Sequence, residues 1–388
     1  MSEKKQCSLR TALSVHVKLH QVPGINRLNR HRAIRYRYTS LVQTCKKEVA
    51  VMPQEALCFE RLPQQAVRCS LCRHRCTIPE GRRGICRVRE NRGGTLYSLA
   101  AGLLVAEQVD PIEKKPLFHL LPGSRCYSVA SVGCNFRCLH CQNAGIAQYD
   151  DQGSGQIPGR SVTPEQTVST ALQAGCRSIA FTYTEPTVWF EYTLKTATLA
   201  AAAGLYTIFV TNGYITPEAL GMITPVLHAA NIDLKGFSDD FYRRVCGARL
   251  DQVLEGIRDY RRRGIWIEIT TLVIPGENDD QQQLDGIARF IAQELGPDTP
   301  WHISRYFPQY KMQQPATPRQ SLDRAFEAGT RAGLHYIYEG NLSNGREQTI
   351  CPACGQTVIS RSGYSVTGIN LKDGACARCG RQIAGVWG

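Results

Sequence analysis

From residue 126 to residue 332 the chain alternates between strand-like and helix-like runs. That alternation constrains its fold more than any other feature. "CYSVASVG" (126–133), "SIAFTYT" (178–184), "YTIFVTNG" (206–213), "NIDLKG" (231–236), "WIEITTLVIPG" (266–276) and "WHISRYFP" (301–308) read as strands. Helical runs separate them at 163–175, 190–203, 216–223, 251–263, 280–295 and 320–332. The first helical run carries its own boundaries: Thr163 can cap it, Pro164 suits its first turn, Gln166 completes a capping box and Gly175 ends it. Such alternation implies parallel strands joined by helical crossovers, so the fold class is α/β. Six units fit a partial (β/α)6 barrel of the TIM type, in which chemistry sits at the C-terminal ends of the strands. The strand ends here are polar: Cys134 and Asn135, Thr184 and Glu185, Thr211 and Asn212, Asp233 and Lys235.

The chain has 17 cysteines, and 11 of them fall in three tight groups. With no apolar leader after the first basic residues, metal or redox chemistry is a better reading than disulfides. The groups divide the chain. Residues 1–51 form a basic extension, 52–120 an N-terminal four-cysteine module and lead-in, 121–340 the barrel, and 341–388 a C-terminal four-cysteine module resembling a zinc ribbon. The cysteines at 7, 45, 58, 126, 176 and 246 are scattered and read as structural.

The net charge of +13 is uneven, since residues 1–50 hold 11 Lys or Arg against 2 Asp or Glu. A nucleic-acid arm, a transit peptide and an extension without function compete for this tail. Its composition is that of a disordered basic segment, and Met52 opens the stretch that reads as folded protein. No run approaches the roughly 20 apolar residues of a membrane span. A cytoplasmic protein without a membrane segment is expected.

Cys134, Cys138 and Cys141 have spacing C-x3-C-x2-C. A loop this short brings three thiolates to one cluster. Four would cover every iron of a [4Fe–4S] cluster; three leave one iron open to a further ligand. The same logic separates catalytic from structural zinc.

This spacing, just after the first barrel strand, resembles the signature of the radical S-adenosylmethionine (SAM) superfamily. The resemblance implies that the open iron is chelated by the amino and carboxylate groups of SAM, and that reductive cleavage yields a 5′-deoxyadenosyl radical for hydrogen abstraction. It also assigns further cofactor contacts. His140 stands where the family has an aromatic residue near SAM. Glu185 in "YTEPT" matches the end of a Gly-Gly-Glu-like motif for the SAM amino group. Thr211 and Asn212 in "VTNG" face the ribose or carboxylate. Asp233 and Lys235 in "DLK" look like a motif of glycyl-radical-enzyme activases. His302 can reach the adenine, or serve as a core histidine.

The likeness extends further. "CSLCRHRCTIPEGRRGICRVREN", "VDPIEKKPLFHLLPGS", "GCNFRCLHCQN" and the C-terminal "CPACG…CARCG…IAGVW" resemble, in that order, the radical SAM enzymes of the AmmeMemoRadiSam system. That group is similar to pyruvate formate-lyase activating enzyme. The resemblance implies association with Memo-like and AMMECR-like proteins, or with a glycyl-radical enzyme, and a one-electron donor such as flavodoxin or ferredoxin. "RSGY" (361–364) reads as a hairpin turn rather than a glycyl-radical site.

Cys351, Cys354, Cys376 and Cys379 have spacing C-x2-C-x21-C-x2-C, which suits a four-thiolate zinc site or a single iron. "CARCGRQ" is only mildly basic, so nucleic acid is not an expected partner. Cys69, Cys72, Cys76 and Cys86 close another four-thiolate site, for zinc or an auxiliary [4Fe–4S] cluster, with His74 as a substitute ligand. The reading is a radical SAM enzyme of unassigned substrate. Its rivals are a glycyl-radical-enzyme activase and a non-catalytic zinc-binding interaction protein.

Overall fold

The computed structural model describes residues 53–149, 156–341 and 345–387. The basic extension 1–51, with Cys7 and Cys45, lies outside the described residues. At the centre is a sheet of eight strands: β1 (Ala106–Pro111), β2 (Arg125–Ala130), β3 (Ser178–Phe181), β4 (Tyr206–Thr211), β5 (Ala229–Asp233), β6 (Trp266–Val273), β7 (Trp301–Arg305) and β8 (Ile337–Gly340). They lie side by side in chain order. β2 to β8 are parallel, and β1 pairs antiparallel with β2 as an edge. β1 and β8 do not pair with each other, so the sheet is open between them. The six expected strands are β2 to β7; β1 and β8 extend that set.

Helices α1 (Pro164–Gln173), α2 (Phe190–Ala202), α3 (Pro217–Ile223), α4 (Leu250–Arg262), α5 (Gln281–Phe290) and α6 (Arg319–Arg331) form the crossovers. Their starts follow local chemistry. Thr163 accepts from the Gln166 backbone while Gln166 accepts from the Thr163 backbone, a reciprocal capping box. Thr216 caps α3 by accepting from the Ala219 N–H, and Asp280 caps α5 by accepting from the Gln283 N–H. The strands are buried on both faces, as parallel strands under crossover helices must be.

Two small three-stranded sheets precede β1. One joins Gln54–Glu55, Thr95–Ser98 and Arg89–Arg92; the other joins Phe59–Arg61, Val67–Cys69 and Thr77–Ile78. After β8 comes a three-stranded antiparallel sheet of Thr349–Ile350, Thr357–Ser362 and Ser365–Ile369, then a hairpin of Leu371–Lys372 and Ala375–Cys376. Ser362 pairs with Ser365, so "RSGY" is indeed a two-residue hairpin turn, with Gly363 at φ +59°.

A buried carboxylate ties these parts together at the N-terminal ends of the strands. Glu268 of β6 accepts from the backbone N–H of Phe118 (2.9 Å) and His119 (2.8 Å), and from the Trp266 indole (3.1 Å). His302 of β7 stands 2.7 Å from its other oxygen. Asn231 of β5 donates to the Pro116 carbonyl. Segment 116–121 is thereby held across the strands from β5 to β7. The C-terminal module packs on the same segment: Arg361 donates to the Phe118 carbonyl (2.6 Å), and His119 bonds the Ala384 carbonyl and the Tyr338 hydroxyl. Phe118, Tyr336 and Tyr338 share a core with Cys351, Val358 and Cys376. The module therefore links segment 116–121 to strand β8.

Replacing Glu268 with Leu leaves two backbone N–H groups, an indole and an imidazole buried without their acceptor. Each such group costs about 1–3 kcal/mol, so E268L loses more than about 3 kcal/mol in chemical denaturation of the metal-loaded protein. His119 supplies a pH effect of definite sign. Burial lowers its pKa to about 4, from 6.5, against the opposing pull of Glu268. The folded state thus keeps it neutral while the unfolded chain takes up a proton. The stability this confers is complete above pH 6.5 and falls as pH drops toward 4, by roughly 3 kcal/mol. The pH dependence of the melting temperature over this window should flatten in His119→Phe.

Candidate functional site

At the C-terminal ends of the strands lies a cavity of about 340 Å³, within the size range of small-molecule sites. Cys134, Cys138 and Cys141 all line it, together with His140, Glu185, Thr211, Asn212, Asp233 and Lys235. Nine of the ten catalytic and cofactor residues expected from sequence therefore meet at one place.

The cysteine loop is held by its backbone. Arg137 N–H donates to the Cys246 carbonyl (2.7 Å) and Leu139 N–H to the Val245 carbonyl (2.9 Å). Gly133 N–H donates to the Ile146 carbonyl. Gly133 sits at φ +101°, and a Cβ there would lie 2.9 Å from the Val88 side chain and 3.2 Å from the Cys86 carbonyl. Only glycine allows both the turn and that close approach. The Phe136 N–H points at Cys134 Sγ at 3.3 Å. Cys246, expected to be structural, is buried beside Cys138. Its thiol holds the Cys138 pKa below the usual thiol range, whereas burial pushes Cys134 and Cys141 up.

Glu185 is buried, and its carboxylate is densely bonded. Oε1 accepts from the Thr187 N–H (3.1 Å), the Thr187 hydroxyl (2.6 Å) and the Thr211 hydroxyl (2.8 Å). Oε2 accepts only from the Asn212 N–H (2.9 Å), leaving lone-pair capacity for a further donor. Burial pushes its pKa up against these four bonds. Asn212 links strand end to cysteine loop: its Nδ2 donates to Asn135 Oδ1 (2.7 Å) and lies 3.8 Å from Cys134 Sγ. Lys235 and Asp233 form an ion pair at 2.7 Å. Burial alone would lower the Lys235 pKa, but Asp233 and the Cys138 and Cys246 thiols hold it above the ordinary lysine value.

His140 is buried, stacks toward Phe241 and has no partner for Nδ1. Burial, then Lys235, lowers its pKa to about 3, so it is a neutral ring on the cavity wall. His302 does not line the cavity. It sits one register step below Ser304, which does, and is engaged by Glu268 and packed between Phe118 and Tyr338. His302 thus takes the place of a core histidine, its imidazole held by the carboxylate that anchors segment 116–121.

Other wall residues escaped the sequence reading. Lys114 and Lys115 both bind Asp110 (2.9 and 2.7 Å), and the Tyr183 hydroxyl donates to the same carboxylate (2.7 Å). Tyr183 holds φ +63°, a conformation natural to glycine, at the position where the sequence departs from a Gly-Gly-Glu motif. Asn341 and Tyr364 reach the cavity from beyond β7. "VDPIEKKPLFHLLPGS" carried the first signal and "RSGY" the second, but neither spacing says what the residues face.

Two sulfur geometries occur. Cys351 and Cys379 stand 3.6 Å apart, Cys354 and Cys376 3.7 Å apart, and all four sulfurs lie within 4.8 Å of one another. Thiolates at about 2.3 Å from one tetrahedral ion are spaced about 3.8 Å apart, so this set suits a single metal ion. Among the described residues no other His, Cys, Asp or Glu group is so tight. Cys134, Cys138 and Cys141 instead line the cavity together. Three thiols, a neutral buried ring with an unpartnered nitrogen, and an acid and a lysine around one cavity fit an iron–sulfur cluster with an amino-acid-bearing cofactor.

Residues 128–286 match a family model described as the Radical SAM superfamily. The chain is 43% identical over 334 residues to the uncharacterized protein MJ0808 of Methanocaldococcus jannaschii, spanning 85% of this chain and 98% of that protein. It is 21% identical over 161 residues to pyruvate formate-lyase 1-activating enzyme of Escherichia coli, spanning 41% of this chain and 65% of that enzyme. Among solved structures it is similar to Streptococcus suis SuiB bound to S-adenosylmethionine, with a TM-score of 0.45 and 13% identity over 59% of this chain and 53% of that one. No helix among the described residues is long and apolar enough to cross a membrane.

Asn212 supports Cys134 without being a metal ligand. Loss of such a partner typically lowers metal affinity about 10- to 100-fold. Asn212→Ala should therefore shed iron from the three-cysteine loop during chelator challenge, with far-UV circular dichroism unchanged.

Proposed function

The chain belongs to the radical SAM superfamily, and on that premise we propose that it abstracts hydrogen from a substrate held in the cavity described above. The observation that carries this reading is the convergence of Cys134, Cys138 and Cys141 with Glu185, Asn212, Asp233 and Lys235 on one cavity wall. Bound there, a [4Fe–4S] cluster and SAM together supply one-electron cleavage of the sulfonium into methionine and a 5′-deoxyadenosyl radical. The protein's own residues bind, orient and shield. The free capacity of Glu185 Oε2 suits an ammonium donor. Lys235, kept charged by Asp233, suits a carboxylate. Thr211 is committed to Glu185 and positions it rather than touching a ligand directly. Asn341 and Tyr364 complete the wall, which limits water around a reactive intermediate.

The C-terminal four-cysteine set is assigned to zinc, on the spacing of its sulfurs. Partners follow from the chemistry: a flavodoxin- or ferredoxin-type one-electron donor, and Memo-like and AMMECR-like proteins through the motif resemblance. The activase alternative has the similarity to pyruvate formate-lyase 1-activating enzyme behind it. Against it stands the C-terminal module, whose Tyr364 lines a small-molecule-sized cavity.

The test is anaerobic reconstitution, reduction with dithionite and addition of SAM. 5′-Deoxyadenosine should form in the intact protein and fall to background in Cys138→Ala. Lys235→Ala should retain iron but lose SAM affinity. An intact, iron-loaded protein that never cleaves SAM would sink the reading.

A further inference from the structure

Asp110 of β1 is buried, and three donors share its carboxylate. Lys114 Nζ lies 2.9 Å from Oδ1, while Lys115 Nζ and the Tyr183 hydroxyl each lie 2.7 Å from Oδ2. Two ammoniums against one carboxylate leave a positive charge over. The two lysines differ in how water treats them. The Lys114 side chain is 44% exposed, so solvent screens it; the Lys115 side chain is 2% exposed.

Lys115 is the group that this arrangement leaves short. An ammonium carries three N–H donors. Asp110 Oδ2 takes one, and among the described residues it is the only hydrogen-bond acceptor of Lys115 Nζ. The Tyr183 ring lies 4.6 Å from the same ammonium and offers it a cation–π contact. Two donors of a buried cation are therefore unanswered by the protein, which is costly. Burial lowers the Lys115 pKa against the pull of Asp110. Lys235 is the contrast, since its surroundings hold its pKa above the ordinary lysine value.

Both Lys114 and Lys115 line the cavity that Cys134, Cys138 and Cys141 line. In the reading above, the cofactor does not account for them: Glu185 answers its ammonium and Lys235 its carboxylate. The pair is also held in place beforehand. Tyr183 keeps its φ of +63° while its hydroxyl is fixed on Asp110. Backbone strain of that kind persists only where the surroundings enforce it.

We propose that Lys114 and Lys115 form an anion site in this cavity, and that the substrate is a small molecule carrying a carboxylate or phosphate group. An anionic oxygen accepts from the unanswered donors of Lys115 and offsets the charge that Asp110 leaves over. That the anion belongs to the substrate rests on the radical SAM reading of the cavity; the anion site itself does not.

The full chain, reconstituted anaerobically and saturated with SAM, provides the test. Sodium phosphate and sodium succinate are each titrated by calorimetry at constant ionic strength. At least one should bind saturably, with a dissociation constant of roughly 1 mM. Tighter binding of phosphate marks a phosphorylated substrate, and tighter binding of succinate a carboxylate one. Lys115→Met should abolish the binding. Because that change also takes a partner from Asp110, the half-exposed Lys114 supplies a second pair of variants. Lys114→Met should weaken binding about tenfold, and Lys114→Arg should restore it. No saturable binding of either anion overturns the site, as does binding that both methionine variants leave unchanged. Binding lost in Arg82→Ala also overturns it, by moving the anion to the open cleft that Arg82 lines with Arg83, Arg87 and Arg137. Displacement of SAM by the anion overturns it as well, since the lysines would then hold the cofactor. If 5′-deoxyadenosine forms on reduction but neither anion binds, the substrate class falls and the radical reading stands. If the anion binds through the lysines but SAM is never cleaved, the radical reading falls and the anion site stands.

Discussion

The Glu268 carboxylate is the interaction on which the other parts converge. A charge buried among strands is tolerable only if its lone pairs are occupied. Glu268 meets that condition with two backbone N–H groups of segment 116–121, an indole and a histidine. The segment so held presents Lys115 and Pro116 to the cavity on one side. On the other it forms the floor for the C-terminal module through Arg361 and Val386. One anion thus connects the strands, the cavity and the C-terminal four-cysteine module. His302 belongs to this network as a buried core histidine.

Three groups of cysteines occupy three places. The C-terminal sulfurs close to 3.6 and 3.7 Å because two knuckles turn toward each other. The other two sets each line a cavity. Gly133 makes the last two neighbours. A chain that merely stapled a small domain with metal would have no need to bring Cys86 against the catalytic loop.

The barrel core was legible because its signals are local. Six strands and six helices follow from apolar runs punctuated by caps, and Thr163 with Gln166 makes the box that its spacing implies. Nine of the ten expected site residues meet because strand C-terminal ends in a parallel sheet must lie on one side. Strand β1 was missed because "AEQVDP" is polar, and an antiparallel edge needs only one buried face. Strand β8 followed the last helical run without a signal of its own. Cys246, Tyr364 and the Asp110 network depend on contacts between residues far apart in the chain, to which no period or spacing is sensitive.

The amino-acid sequence by itself determined the α/β class, the order of the strands and the three cysteine sets, because each rests on a repeat or spacing within a few residues. Only the tertiary structure decided what those residues face. It assigned His302 to a buried carboxylate and committed Thr211 to Glu185. It set Cys246 beside Cys138, packed the C-terminal module on segment 116–121 and brought two cysteine loops together across Gly133. Those outcomes depend on which buried polar groups find partners across the core, and long-range packing alone settles that.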